Sequence, residues 1–119
     1  MHTLRSAIWP LAVLTILAVN ATAQGEAKKL SRPEALAAAQ SKAQPEYPAL
    51  AKQLKVHGAV ELEAVVSEDG TVEKVNIVSG NPMLTKPAAE ALKKWKFKPV
   101  SADGKTVKAL APVIFNFDL

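Results

Sequence analysis

From Ala59 to the C-terminus the spacing of apolar residues goes from two to about 3.6 and back to two, and that order leaves few folds open. In "AVELEAVVSEDG", Val60, Leu62, Ala64 and Val66 point one way while Glu61 and Glu63 point the other, which predicts a half-buried strand. "EDG" supplies a turn, with Gly70 free to take positive φ. "TVEKVNIVS" then puts Val75 and Ile77 opposite Lys74 and Asn76, completing a β-hairpin. After the break at "GNP", Leu84, Ala88, Ala91, Leu92 and Trp95 form one helical stripe with Lys86, Glu90, Lys93 and Lys94 outside. Thr85 is the expected cap and Pro87 is expected in the first turn. Pro99 ends the helical stretch, "SADGK" reads as a loop, and Val107, Ala109, Ala111, Val113, Phe115, Phe117 and Leu119 all fall on odd positions of a long terminal strand.

The resulting fold class is α+β: a small three-stranded antiparallel sheet with one main helix packed on it, in the order strand, strand, helix, strand. In such a sheet at least one long strand lies at an edge with unpaired backbone groups. An open edge is a ready site for adding a partner's extended peptide. Pro112 lacks a backbone donor, which fits an edge strand or a bulge.

Upstream of the sheet, "QPEYP" (44–48) is excluded from helix and central strand by its two prolines. "PALAKQLK" follows as a short helix with Leu50 and Leu54 expected on its inner face. Earlier still, Ser31 and Glu34 make a capping-box pattern before an alanine-rich helix, "SRPEALAAAQSKA". Its apolar residues are small, and it reads as a solvated spacer. The first 23 residues combine Arg5, an apolar run from Ala7 to Val19 and the small-x-small triplet Ala21-Thr22-Ala23, the pattern of a signal peptide cut before Gln24. The alternative is an uncleaved anchor helix, although Pro10 interrupts the run and about 20 apolar residues are needed to span a bilayer. The expected organisation is therefore 1–23 signal peptide, 24–43 spacer with helix, and 44–119 folded domain, exported from the cytoplasm. The anchored alternative would leave the domain held at a membrane.

Charge and chemistry narrow the function. The chain carries 15 Lys and Arg against 11 Asp and Glu, net +4. Loss of residues 1–23 removes Arg5 alone and leaves 14 against 11, net +3. That excess is too mild for a nucleic-acid domain, and "KKWKFKPV" (93–100) reads as the packed exit of the helix, with Trp95 on the buried stripe. Cysteine is absent, and His57 stands alone beside Gly58. No phosphate loop, nucleophile elbow or metal-ligand spacing is present, so no enzyme, cofactor or metal site is expected.

The segments "QPEYPALAKQLKVHGAVELEAVVSEDGTVEKVNIVSG", "AAEALKKWKFKP" and "FNFDL" together resemble the TonB C-terminal domain family, in order and spacing, over residues 44–119. The resemblance implies a periplasmic domain that pairs by strand addition with the short extended "TonB box" of outer-membrane TonB-dependent transporters, in support of energy-coupled transport across the outer membrane. It implies terminal-strand contacts at Ala111, Pro112, Val113, Ile114, Phe115, Asn116 and Phe117, and further contacts at Gln44, Pro45, Tyr47 and Pro48. It also implies an inner-membrane motor complex as partner if the chain is anchored. The chain departs from the family pattern in its spacer: about twenty residues with few prolines, reaching roughly 70 Å at about 3.5 Å each. The alternative function is a structural cell-envelope module that forms a homodimer through its edge strand or contacts peptidoglycan.

Overall fold

The computed structural model describes residues 27–119; the signal-peptide or anchor expectation for residues 1–23 lies outside them. Three long strands make the core of the sheet: β3 (Gly58–Val66), β4 (Val72–Ser79) and β8 (Ala109–Phe117). The central strand, β3, runs antiparallel to both neighbours. Helix α3 (Pro82–Lys93) connects β4 to the last part of the chain and packs on one face. The α+β, strand–strand–helix–strand expectation is borne out. The sheet has one addition: β1 (Lys28–Lys29) lies beyond β8 and runs parallel to it, giving the order β1-β8-β3-β4.

Alternation supplies the core. Val60, Leu62, Ala64 and Val66 of β3 and Ala109, Ala111, Val113, Phe115 and Phe117 of β8 are buried in one core, with α3 packed on β4 and β3 and the N-terminal helix α1 (Arg32–Ala38) on β8. The predicted helical stripe, Leu84, Ala88, Ala91, Leu92 and Trp95, is buried against them in full. Trp95 donates its indole N–H to the Ala43 carbonyl at 2.9 Å and meets the Phe115 ring edge-on, with centroids 5.6 Å apart. A buried indole whose polar atom is satisfied contributes its whole apolar area. Phe97 is buried as well, whereas Lys93, Lys94, Lys96 and Lys98 are exposed. The basic-aromatic stretch is thus core on alternate sides of a solvated surface.

Gly70 takes φ +93°, and a Cβ there would sit 2.0 Å from the Phe97 carbonyl oxygen. The Phe97 amide donates to the Gly70 carbonyl at 2.8 Å, so the β3–β4 turn is fastened to the end of the helical unit.

Several local expectations change. Helix α3 begins at Pro82, capped by the Asn81 side chain accepting from the Met83 amide; Thr85 instead donates its hydroxyl to the Pro82 carbonyl. Pro87 consequently lies inside the helix. The odd-position run from Val107 to Leu119 is shortened at both ends. Val107 belongs to a separate hairpin, β6 (Val100–Ala102) with β7 (Lys105–Val107), turned by Asp103 (φ 53°) and Gly104 (φ 79°). Two consecutive positive-φ residues match a tight hairpin turn, and Asp-Gly suits it. Leu119 lies past the end of β8 and is exposed.

Helix α2 (Ala49–Gln53) buries Ala51, and Leu50 and Leu54 are exposed, 56% and 60%. The helix is too short for a leucine stripe to matter: Tyr47, just before it, packs against the core, and the small face at Ala51 fits beneath. The alanine-rich helix α1 (Arg32–Ala38) carries the expected capping box, with the Ser31 hydroxyl accepting from the Glu34 amide at 3.2 Å and the Glu34 carboxylate accepting from the Ser31 amide at 2.8 Å. It is not a solvated spacer, because Ala35 is fully buried and Ala38, Ala39 and Ala43 pack on the core. Beyond it, β2 (Ala39–Ser41) pairs with β5 (Lys96–Phe97). Small side chains bury little area each, but they let a helix backbone approach closely.

Candidate functional site

The outer edge of β8 is defined by two hydrogen bonds. The Lys28 amide donates to the Lys108 carbonyl at 2.8 Å, and the Leu30 amide to the Leu110 carbonyl at 2.9 Å. Carbonyls 108 and 110 therefore face away from β3. Because the backbone groups of a strand alternate in direction, those of residues 112, 114 and 116 face the same way, while the odd residues bond to β3. Among the described residues no strand pairs with that side beyond Leu110. The amides of Ile114 and Asn116 and the carbonyls of Pro112, Ile114 and Asn116 thus form a short outward row.

Pro112 sits in this row. Its missing N–H faces outward and removes no bond to β3, so the residue is an edge proline that keeps the β3–β8 ladder whole opposite Glu63.

Side chains divide by the same parity. Of the predicted terminal-strand residues, Ala111, Val113, Phe115 and Phe117 are turned into the core. Pro112 and Ile114 are half-buried on the opposite face of the sheet, and Asn116 is exposed there. Only the even residues offer both backbone and side chain to an incoming segment.

Of the upstream predicted residues, Tyr47 is tied to β8. Its hydroxyl donates to the Val56 carbonyl, its ring meets Phe117 edge-on with centroids 5.3 Å apart, and the Lys52 ammonium stands 5.4 Å from the ring centre. This fixes the 44–48 segment at the C-terminal end of the terminal strand. Pro45 and Pro48 are half-buried and Gln44 is exposed. Pro48 lines an open groove of about 260 Å³ with Glu46, Lys86, Pro87 and Glu90, on the α3 side.

The sequence reading missed the arm that shares the edge, Lys28, Lys29, Leu30 and Arg32. Helix α1 packs against β8, and the Arg32 guanidinium reaches Glu61, the cross-strand partner of Ile114, at 3.8 Å. The capping box announces a helix, but nothing in two lysines and a leucine announces a parallel strand.

Two carboxylates are displaced from their ordinary values: Glu34, in the α1 capping box, is lowered by the Ser31 backbone and side-chain bonds, and Asp69, in the β3–β4 turn, is held down to about 2 by bonds from the Ser67 hydroxyl and the Thr71 amide and hydroxyl. His57 is exposed beside the Lys55 carbonyl. Among the described residues no group of three or more His, Cys, Asp or Glu is placed to hold a metal ion, and no helix is long and apolar enough to cross a membrane.

What remains is a small α+β domain whose antiparallel sheet ends in a partly open edge. Residues 43–119 match the family described as Gram-negative bacterial TonB protein C-terminal, and the chain belongs to that family. It is 36% identical over 61 residues to Protein TonB of Escherichia coli (strain K12), covering 50% of this chain and 26% of that one. It is 33% identical over 78 residues to Protein TonB of Vibrio cholerae, covering 64% and 32%. The chain thus spans about a quarter to a third of the length of these curated relatives. The solution NMR structure of Pseudomonas aeruginosa TonB CTD superposes with a TM-score of 0.57 at 25% identity, over 68% of this chain and 84% of that one.

Proposed function

We propose that this domain binds extended peptide segments, the TonB box of outer-membrane TonB-dependent transporters, by adding them as a strand to the outer edge of β8. The observation that carries the reading is the outward row at Pro112, Ile114 and Asn116, next to a Tyr47 locked onto Phe117. Strand addition draws its affinity from main-chain pairing and its selectivity from alternate side chains. Ile114 and Asn116 are the side chains available for that selectivity, and Ala111, Val113, Phe115 and Phe117 act by holding the strand in register. Gln44, Pro45, Tyr47 and Pro48 flank the C-terminal end of β8, where Tyr47 meets Phe117. The domain works in the periplasm, in support of energy-coupled transport, and performs no catalysis. If residues 1–23 stay as an inner-membrane anchor, a motor complex becomes the second partner.

Homodimerisation through an edge strand is the second reading. It is favoured by the other edge, where β4 has no outer partner among the described residues and Ile77 and Val78 are 53% and 63% exposed.

Affinity measurements with a synthetic TonB-box peptide test the proposal. Inserting a proline in the middle of the peptide should abolish binding, whereas single side-chain changes should cost far less. Equal tolerance of the proline would show that the peptide does not bind as a strand.

A further inference from the structure

We infer that residues 28–38 are a displaceable arm that occupies the docking edge and competes with the incoming strand. The inference rests on the strand-addition reading and adds its regulation. β1 already does what an added strand would do, donating from Lys28 and Leu30 to the outward carbonyls of Lys108 and Leu110. The chain then turns at Ser31 into α1, which packs along β8, and Arg32 spans to Glu61 opposite Ile114. The arm therefore holds the edge at Lys108 and Leu110 and continues along β8 through α1, and a segment that pairs with β8 from Leu110 to Asn116 must move it.

The way the arm is fastened suits removal. β1 is two residues long, its lysines are exposed, and the Arg32–Glu61 pair is a solvent-exposed ion pair of the kind that contributes little. Its anchors in the core are modest: Ala35, a small side chain without exposure, the half-buried Leu30 and Ala38, and one bond from the Lys98 amide to the Ala38 carbonyl at the arm's end. By contrast β3 pairs with β8 along the full strand, from Gly58 opposite Phe117 to Val66 opposite Ala109. Opening of the arm leaves the sheet and the α3 core in place. Apparent affinity for a partner is then the intrinsic affinity scaled by the fraction of molecules whose arm is open.

A cross-link tests this directly, because the chain has no cysteine of its own. Lys29 and Leu110 are register partners, and adjacent strands place such a pair within disulfide reach. In K29C/L110C the oxidised protein should bind the TonB-box peptide at least about tenfold more weakly than the reduced protein, with reduction restoring affinity. Equal affinity in the two redox states would overturn the inference, since the peptide would then dock without moving the arm. Lys28→Pro removes the donor to Lys108 without touching β8 and should tighten binding several-fold; weaker binding would likewise count against the arm. Hydrogen exchange without any peptide separates this from the function itself. The Lys28 and Leu30 amides should exchange at least about a hundredfold faster than those of Val60 to Ala64. Equal protection would refute a displaceable arm whether or not any peptide binds. A peptide bound in neither redox state would instead condemn the strand-addition reading, with exchange still deciding the arm.

Discussion

Helices α3 and α1 lie against the same sheet and are held by different physics. Helix α3 carries two leucines and leads into Trp95, each buried to within 4% of complete, and its exit is fastened by the indole bond to Ala43 and the Phe97 bond to Gly70. Helix α1 buries Ala35 and leaves Leu36 half exposed; its hold comes from close backbone approach and a two-residue strand. Large side chains make an element inseparable from the fold, while small ones let it dock without committing it. The contrast matters because α3 packs on the β3 and β4 strands of the scaffold and α1 packs on β8, the strand proposed to receive the peptide.

The largest effect expected is at the scaffold. Trp95→Ala should cost about 3–5 kcal/mol in urea unfolding, through lost packing against Phe115 and Phe97 and an orphaned Ala43 carbonyl. Replacing Lys93 and Lys94 by Gln should stay within about 0.5 kcal/mol. A comparable loss from the lysine change would break the division of "KKWKFKPV" into core and surface.

Next is the arm. Ala35→Leu forces extra methylenes into a fully occupied place and should destabilise it by about 1–3 kcal/mol. The contrast sharpens if the loss appears as faster exchange at Lys28 and Leu30 with β3 unchanged. If β3 protection falls equally, arm and core unfold as one and the contrast is lost.

A smaller effect is expected in the β3–β4 turn. Asp69 is lowered to about 2 from an ordinary value near 3.8, mainly by the Ser67 hydroxyl. A depressed carboxylate contributes stability that is present above its unfolded value and is lost as pH falls through the folded one. The urea midpoint should therefore drop between about pH 4 and pH 2, and Asp69→Asn should remove that part of the pH dependence. An identical acid profile in the variant would mean the Ser67 and Thr71 bonds contribute nothing to folding.

The sequence was most legible where period and size agree. The α3 stripe and the alternation of β3 need no tertiary knowledge, because a stripe of Leu and Trp at 3.6 spacing has one way to be buried. The helix start was misjudged because Asn81-Pro82 serves both as a strand break and as a cap with proline in the first turn. The terminal strand was overextended because Val107 keeps the parity of β8 while belonging to the Asp103-Gly104 hairpin. The docking of α1 was illegible for a physical reason: alanines report helix propensity but not which face is covered. At the site, Pro112 was readable as an edge or bulge residue. Which way its nitrogen faces depends on the β1 and β3 registers, and those are tertiary.

The most direct test of an outward-facing docking row is an amide-shift titration with the TonB-box peptide, run on the wild-type protein and on Pro112→Val. In the wild type the largest shifts should fall at Ile114 and Asn116, with Tyr47 following. The new outward donor in the variant should tighten binding by up to about 1 kcal/mol, the scale of one net hydrogen bond. Shifts confined to residues 61–75, with Ala111 to Phe117 silent at saturating peptide and no gain in affinity from the Pro112→Val substitution, would contradict docking at β8 and move the interaction to the opposite side of the sheet.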